Sequence, residues 1–238
     1  MSFRKSVELF EVLLSTSANE DLLVPYSPKR LVFVADESEK TILFAENLRE
    51  ILPRLGLKVV IAYPEGLDLS PFLESLSPYV EGVERIESKE KPSRKILAIA
   101  EEYQADLIAV TMPYPKFDEG LLGGTIEALI NAKKYPLLIA NNPSKIDSVG
   151  LIIAPNPISE KPVKRAVTFA DKRLDVILLD GDDVRKDYSE KLVELLRKKF
   201  ESSLIIAKEI PQAYDLIVYE LQNLEDIEVA EKTFLVVF

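Results

Sequence analysis

Residues 106–140 decide the fold of this chain. They contain two short apolar runs, Asp106-Leu-Ile-Ala-Val-Thr111 and Pro136-Leu-Leu-Ile-Ala140, with a loop and then Gly123-Gly124-Thr125 between them. Apolar runs of this length predict strands that are buried on both faces. The glycine pair followed by a hydroxyl residue predicts the start of a helix, so the segment is typical of a parallel strand–helix–strand unit.

The predicted helix start is the best candidate binding site in the sequence. Unpaired backbone N–H groups point outward at a helix start, and glycine lets an anion approach the backbone closely. A glycine pair can also serve only to let a helix pack closely on a strand, so both interpretations stay open. The preceding loop, Met112-Pro-Tyr-Pro-Lys-Phe-Asp118, has two prolines where phosphate-cradling loops are normally rich in glycine.

The same alternation of buried strands and amphipathic helices extends through the chain. It predicts an α/β protein with two tandem doubly wound, mainly parallel five-stranded sheets and flanking helices. Asp106-Leu-Ile-Ala-Val110 is repeated as Asp215-Leu-Ile-Val-Tyr219, which indicates an internal duplication. We predict an amphipathic helix at residues 3–14 within an N-terminal segment of residues 1–28, and α/β domains at residues 29–147 and 148–238.

Composition excludes several classes of function. The chain has 238 residues, a net charge of −10, no cysteine and no histidine. A polyanion would be repelled, so we expect neither nucleic acid nor an anionic membrane as a partner. The absence of cysteine and histidine removes thiolate and imidazole chemistry and the commonest metal ligands.

The expected location is the cytoplasm. Glu8 and Glu11 interrupt the only N-terminal apolar stretch that could serve in a signal peptide, and no apolar run is long enough to span a membrane. The high charged fraction and the low glutamine content are similar to the composition of thermophile proteins.

Two acidic features of the sequence are candidate sites. Asp36 follows the predicted strand Arg30–Ala35 at the place where doubly wound sheets bind ligands. It also has capping-box spacing to Glu39, so the sequence allows either a ligand contact or a helix N-cap, with Ser38 as a second possible cap. Asp180-Gly-Asp-Asp183 has carboxylates that suit Mg²⁺ or Ca²⁺, but its composition favours a turn, and we predict no metal site. No serine has an assignable base, and no carboxylate pair is fixed by spacing, so we expect no catalysis.

The chain resembles the universal stress protein family in a tandem arrangement. Leu31-Val-Phe-Val-Ala-Asp36-Glu-Ser38 corresponds to the family's apolar strand ending in Asp-Gly-Ser. The family's nucleotide-binding pattern is Gly-x2-Gly-x9-Gly-Ser/Thr. Its last element matches Gly124-Thr125, while Thr111 and Tyr114 occupy its first two glycine positions.

The resemblance implies ATP or AMP as a ligand, bound weakly at one site. In nucleotide-binding members the Asp after the first strand and the backbone of the second strand hold adenine, and the glycine loop and final hydroxyl hold phosphates. Carried over by position, the cofactor-binding residues are Asp36, Ala62, Thr111, Gly123, Gly124 and Thr125. Tyr114, Pro113 and Pro115 would weaken binding because they leave few free N–H groups, whereas Lys116 could supply a positive charge.

The second half is predicted to bind no nucleotide. Asn156 replaces the acidic residue, and no glycine–hydroxyl helix start occurs between its last two strands. The resemblance also implies antiparallel pairing of Leu137–Ala140 with Phe234–Val237, which would make one chain an intramolecular pseudo-dimer. Association of two chains into a homodimer is a further alternative.

The leading hypothesis is a non-catalytic regulatory or stress-related module. Its alternative is a protein-interaction module that has lost the nucleotide, with an unknown protein partner in either case. An enzyme of the wider adenine-nucleotide α-hydrolase-like group is a third hypothesis.

Overall fold

The computed structural model describes residues 20–112, 124–153, 160–179, 183–221 and 232–238. The helix predicted for residues 3–14 lies outside these ranges. Within them, no helix is long and apolar enough to cross a membrane.

The chain divides into two compact units. The first unit consists of Ser27–Ile146 and Leu221–Phe238, and the second contains Asp147–Glu220 together with residues 20–26. The carboxyl-terminal segment therefore groups with the first half of the sequence. The domain boundaries at residues 29–147 and 148–238 describe the two halves of the sequence repeat, and they stay a prediction.

The first unit is built on a parallel sheet whose strands are joined by helices. Its elements in chain order are β1 (Arg30–Val34), α1 (Glu39–Leu55), β2 (Lys58–Pro64), α2 (Ser70–Leu76), β3 (Val80–Ile86), α3 (Pro92–Glu102), β4 (Leu107–Thr111), α4 (Gly124–Ala132) and β5 (Leu137–Ala140). The five strands lie in the order β3-β2-β1-β4-β5, and all their pairings are parallel. The strand order reverses direction between β1 and β4, which is where ligands bind in open α/β sheets.

The core of the first unit lies between the sheet and α1. Phe33 of β1 is fully buried, and its ring centroid lies 5.9 Å from those of Phe44 in α1 and Phe72 in α2. Helix α1 ends at Gly56, which has a φ of 65°, a left-handed conformation that glycine adopts without a side-chain clash. This packing fixes the position of α1, and with it the turn that connects β1 to the helix.

The second unit repeats the arrangement of the first four strands. Its elements are β6 (Ser148–Ile153), α5 (Glu160–Phe169), β7 (Arg173–Leu179), α6 (Asp183–Leu196), β8 (Leu204–Ala207) and β9 (Leu216–Glu220). The order β8-β7-β6-β9 corresponds to β3-β2-β1-β4, and the pairings are again parallel. The predicted tandem α/β fold class is therefore confirmed.

The last strand, β10 (Thr233–Val237), pairs antiparallel with β5 in the first unit. Phe234 lies opposite Ile139, and Leu235 lies opposite Leu138. This pairing confirms the predicted contact between the two strands. It covers the edge of β5, which would otherwise expose a row of unpaired backbone groups.

Candidate functional site

The turn after β1 places Asp36 at the carboxyl edge of the first sheet. Helix α1 begins at Glu39, and Ser38 is its N-cap: the Ser38 Oγ accepts a hydrogen bond from the Thr41 backbone N–H at 3.3 Å. Of the two possible caps that the sequence left open, Asp36 and Ser38, the structure uses Ser38. Two cap-competent residues stood two positions apart, and the sequence alone could not choose between them.

Asp36 instead accepts hydrogen bonds from three donors. Its Oδ1 accepts from the Ser38 backbone N–H at 2.8 Å and from the Thr41 hydroxyl at 2.6 Å. Its Oδ2 accepts from the Thr111 hydroxyl at 2.9 Å. These donors come from the turn, the first turn of α1 and the end of β4, so the carboxylate holds three elements together at one point.

The threonine side chains of this group are buried, whereas Asp36 is half-buried. Thr41 is fully buried and Thr111 is 8% exposed, and their hydroxyl oxygens lie 2.6 Å apart. The hydroxyls of Ser38 and Thr41 are 2.9 Å apart. Sequence reasoning did not single out Thr41. The available signal was its spacing, three residues after Ser38 and five after Asp36, at the start of an amphipathic helix.

Ala62 lies beside this turn but is already engaged in the sheet. It is fully buried in β2, opposite Val34, and its carbonyl oxygen accepts a hydrogen bond from the Ala35 N–H at 2.8 Å. Its side chain offers no surface to a ligand. The residues that follow it, Tyr63 and Pro64, extend β2 further toward the carboxyl edge.

Gly124 begins α4, the helix that follows β4 in the chain. A Cβ atom placed on Gly124 would meet no atom within 4 Å, and Gly124 does not have a positive φ. Among the residues that the structure describes, nothing therefore requires glycine here for packing, which removes support from the packing interpretation at this position. Thr125, the next residue, is half-buried.

Several predicted positions lie outside the described residues. Gly123 and the loop residues Tyr114 and Lys116 are among them, as are Asn156 and Asp180-Gly-Asp182. Asp36 and Thr111 are in direct contact, and Ala62 is joined to the same turn through Ala35. Gly124 and Thr125 belong to the same edge of the sheet by connectivity, since α4 follows β4.

The described part of the chain contains no group of three His, Cys, Asp or Glu side chains that could hold a metal ion. A surface groove of about 590 Å³ lies between α1 and α2, and Glu46, Arg49 and Glu74 are among the residues that line it. None of the predicted site residues lines this groove, so it is separate from the carboxyl edge of the sheet.

The fold and the Asp36 group define a class of protein. The chain is a tandem α/β protein with an acidic residue at the strand switch point of its first sheet. No protein-family model matches the sequence, and no curated protein matches it.

Solved structures give a more specific match. The chain is similar to a universal stress protein from Archaeoglobus fulgidus DSM 4304, with 16% sequence identity, a TM-score of 0.60, and coverage of 90% of this chain and 97% of that chain. It is also similar to a functionally unknown protein from Pseudomonas aeruginosa PAO1, with 11% identity, a TM-score of 0.57, and coverage of 92% and 94%. The chain thus has the fold of a universal stress protein along nearly its whole length. At these sequence identities the similarity shows the fold alone.

Proposed function

We propose that the chain is a non-catalytic, cytoplasmic regulatory or stress-related module that binds ATP or AMP weakly at one site. The site lies in the first unit, at the carboxyl edge of β1 and β4. Asp36 contacts the base or ribose, and the amino terminus of α4 contacts a phosphate.

The Asp36 carboxylate carries this proposal. A carboxylate has about four acceptor positions. Among the described residues, three donors occupy two positions on Oδ1 and one on Oδ2. Since Asp36 is only half-buried, the remaining position on Oδ2 is available to a ligand donor. An exocyclic amine or a ribose hydroxyl supplies such a donor, whereas a phosphate would be repelled.

The phosphate end of the ligand is assigned to α4. This helix has nine residues, and its first backbone N–H groups lack partners within the helix. Among the described residues, no atom lies within 4 Å of a Cβ placed on Gly124, which leaves room for a phosphate to approach the backbone closely. Binding is expected to be weak because Thr111, at the first glycine position of the family pattern, carries a buried side chain that is already bonded to Asp36.

One observation favours a second function, a protein-interaction module without a ligand. Three protein donors already occupy most of the acceptor positions of the Asp36 carboxylate, so the turn is stable with no nucleotide present. On this alternative, Asp36 serves only to fix α1 on the sheet.

Two measurements distinguish these functions. Mass spectrometry of small molecules released from freshly purified protein should detect an adenine nucleotide. Calorimetric titration of ATP should show binding to the parent that Gly124→Asp abolishes, because the new side chain adds bulk and negative charge where a phosphate lies. An absence of binding by the parent would favour the interaction module. Sustained turnover of ATP to AMP and pyrophosphate would instead indicate an enzyme.

A further inference from the structure

Thr41 lies at the centre of the cluster of hydroxyl side chains around Asp36. Its hydroxyl lies 2.6 Å from the Asp36 Oδ1, 2.6 Å from the Thr111 hydroxyl and 2.9 Å from the Ser38 hydroxyl. Its contacts with Asp36 and Ser38 are partly buried, whereas its side chain and its contact with Thr111 are buried. In a buried environment hydrogen bonds are strong, and a lost partner is not replaced by solvent.

This cluster has more short oxygen–oxygen contacts than it has hydroxyl protons. Asp36, Thr41 and Thr111 form three mutual contacts, and the two threonine hydroxyls supply only two protons. The donors approach both carboxylate oxygens, from α1 on one side and β4 on the other. The plane of the carboxylate is therefore fixed from two directions, as a binding group requires if it is to be held ready for a ligand.

We propose that Thr41 is a positioning residue of the nucleotide site. Its hydroxyl, together with that of Thr111, fixes the Asp36 carboxylate so that the last acceptor position on Oδ2 faces the ligand. Thr41 does not touch the ligand itself. This inference rests on the proposed function, and it adds a residue from α1 that acts only through Asp36.

A double-mutant cycle with AMP as the titrated ligand tests this role. Thr41→Val removes the hydroxyl and keeps the shape, and it should weaken AMP binding about tenfold, the loss expected for one hydrogen bond to a charged group. Thr41→Ser should restore most of the affinity lost in Thr41→Val. In an Asp36→Asn background, Thr41→Val should cause no further loss, because the residue through which it acts is already impaired.

A matched control is Thr168→Val in the second unit. The Thr168 side chain is 5% exposed, and its hydroxyl donates to the backbone carbonyl of Lys164 at 2.7 Å, with the Tyr26 carbonyl at 2.9 Å. Its removal should lower the melting temperature without changing AMP affinity. Thr41→Val should change both.

The outcomes separate failure of this inference from failure of the proposed function. If Asp36→Asn weakens AMP binding while Thr41→Val leaves it unchanged, or if the two effects add, Thr41 is not a positioning residue and the nucleotide site stands. If the parent does not bind AMP, both are overturned. If Thr41→Val does not fold, Thr111→Val in the same cycle replaces it, with the same expected dependence on Asp36.

Discussion

The two units are alike at the amino edge of their sheets, and their sequences differ in the segments that follow the strands at the carboxyl edge. Asp106, just before β4, accepts from the backbone N–H groups of Lys29 and Arg30 at 2.7 and 3.2 Å. Asp215, just before β9, accepts from those of Asp147 and Ser148 at 3.2 and 3.0 Å. Both carboxylates fix the start of the unit's first strand. The acidic residue that fixes the first strand is thus present in both units, whereas Asp36 and the Gly124-Thr125 pair are sequence features predicted to act only in the first half.

The second unit also has a charged side chain in its interior. The strand registers place Asp175 where the first unit has Val60, and Gly150 where it has Val32. Asp175 is 1% exposed and accepts from the Tyr214 hydroxyl at 2.8 Å, the Ser203 N–H at 2.8 Å and the Arg173 guanidinium at 2.7 Å. The first unit therefore has a partly exposed carboxylate at the carboxyl edge of its sheet, and the second has a buried carboxylate that joins β7 to the residues just before β8 and β9.

Asp175→Asn gives the largest expected effect in this comparison. It should lower the free energy of unfolding by about 3 kcal/mol, because it removes the buried carboxylate and leaves the donors of its hydrogen bonds poorly paired. Chemical denaturation of the whole chain measures the loss. Glu190→Gln, at an exposed acid of α6, is the control and should stay within about 0.5 kcal/mol of the parent. A similarly small change for Asp175→Asn would mean that the buried group is not important for stability.

Alkaline pH should destabilise the second unit through Tyr188. Burial, and then the charge of Glu160, raise the pKa of Tyr188 to about 12. The folded protein keeps this proton when the unfolded chain has already lost it, so stability falls as the pH rises from about 10 to about 12. The loss should reach about 2 kcal/mol.

Urea unfolding at several pH values checks this loss, and Tyr188→Phe should reduce the slope. Tyr103 of the first unit is the comparison. Its pKa is also raised to about 12, chiefly by its hydrogen bond to Glu84, but it is half-exposed, so Tyr103→Phe should change the slope less. Equal slopes for Tyr188→Phe and the parent would show that Tyr188 does not cause the alkaline loss.

Gly150→Ala tests whether the second unit needs glycine for packing. An added Cβ would lie 2.6 Å from the Ile177 Cδ1, 2.8 Å from the Ile217 Cδ1 and 3.1 Å from the Tyr214 ring. The isoleucine ends can shift, so the expected loss in the free energy of unfolding is about 1 to 2 kcal/mol. A thermal melt of the variant measures it, and an unchanged melting temperature would contradict the tight packing.

Gly124→Ala is the counterpart in the first unit, and its effect on stability should be the smallest. Within the described part of the chain the added methyl group meets no atom within 4 Å, and alanine favours a helix over glycine by up to about 1 kcal/mol, so stability should stay the same or rise slightly. Nucleotide affinity should fall, because the methyl group hinders approach to the backbone. Measuring both quantities on one preparation separates a binding glycine from a packing glycine. A clear loss of stability would restore the packing interpretation.

The sequence was sufficient for the strands and for the tandem repeat. Runs such as Leu107–Thr111 are buried along their whole length, and the Asp-Leu-Ile repeat indicated the duplication. The β5–β10 pairing followed from a resemblance and not from local pattern. These features depend on local hydrophobicity and connectivity, which a sequence shows directly.

The details of the candidate site depend on contacts between distant residues. Asp36 fails to cap α1 because Ser38 does so, and Asp36 is instead held by Thr111, 75 residues away. Thr41 looked like an ordinary residue in the first turn of a helix. Asp175 gives no local signal of its role, because its partners Ser203 and Tyr214 come from other parts of the chain. No spacing rule connects such residues before the sheet is assembled.

The central claim is that the chain has one nucleotide site and that Asp36 holds the ligand there. Calorimetric titration of AMP into the parent and into Asp36→Asn tests it most directly, with Thr168→Val as a folded control. We expect weak binding with one nucleotide per chain in the parent and in the control, and clearly weaker but still measurable binding in Asp36→Asn. Equal binding by the parent and Asp36→Asn, or two nucleotides per chain, would contradict the claim.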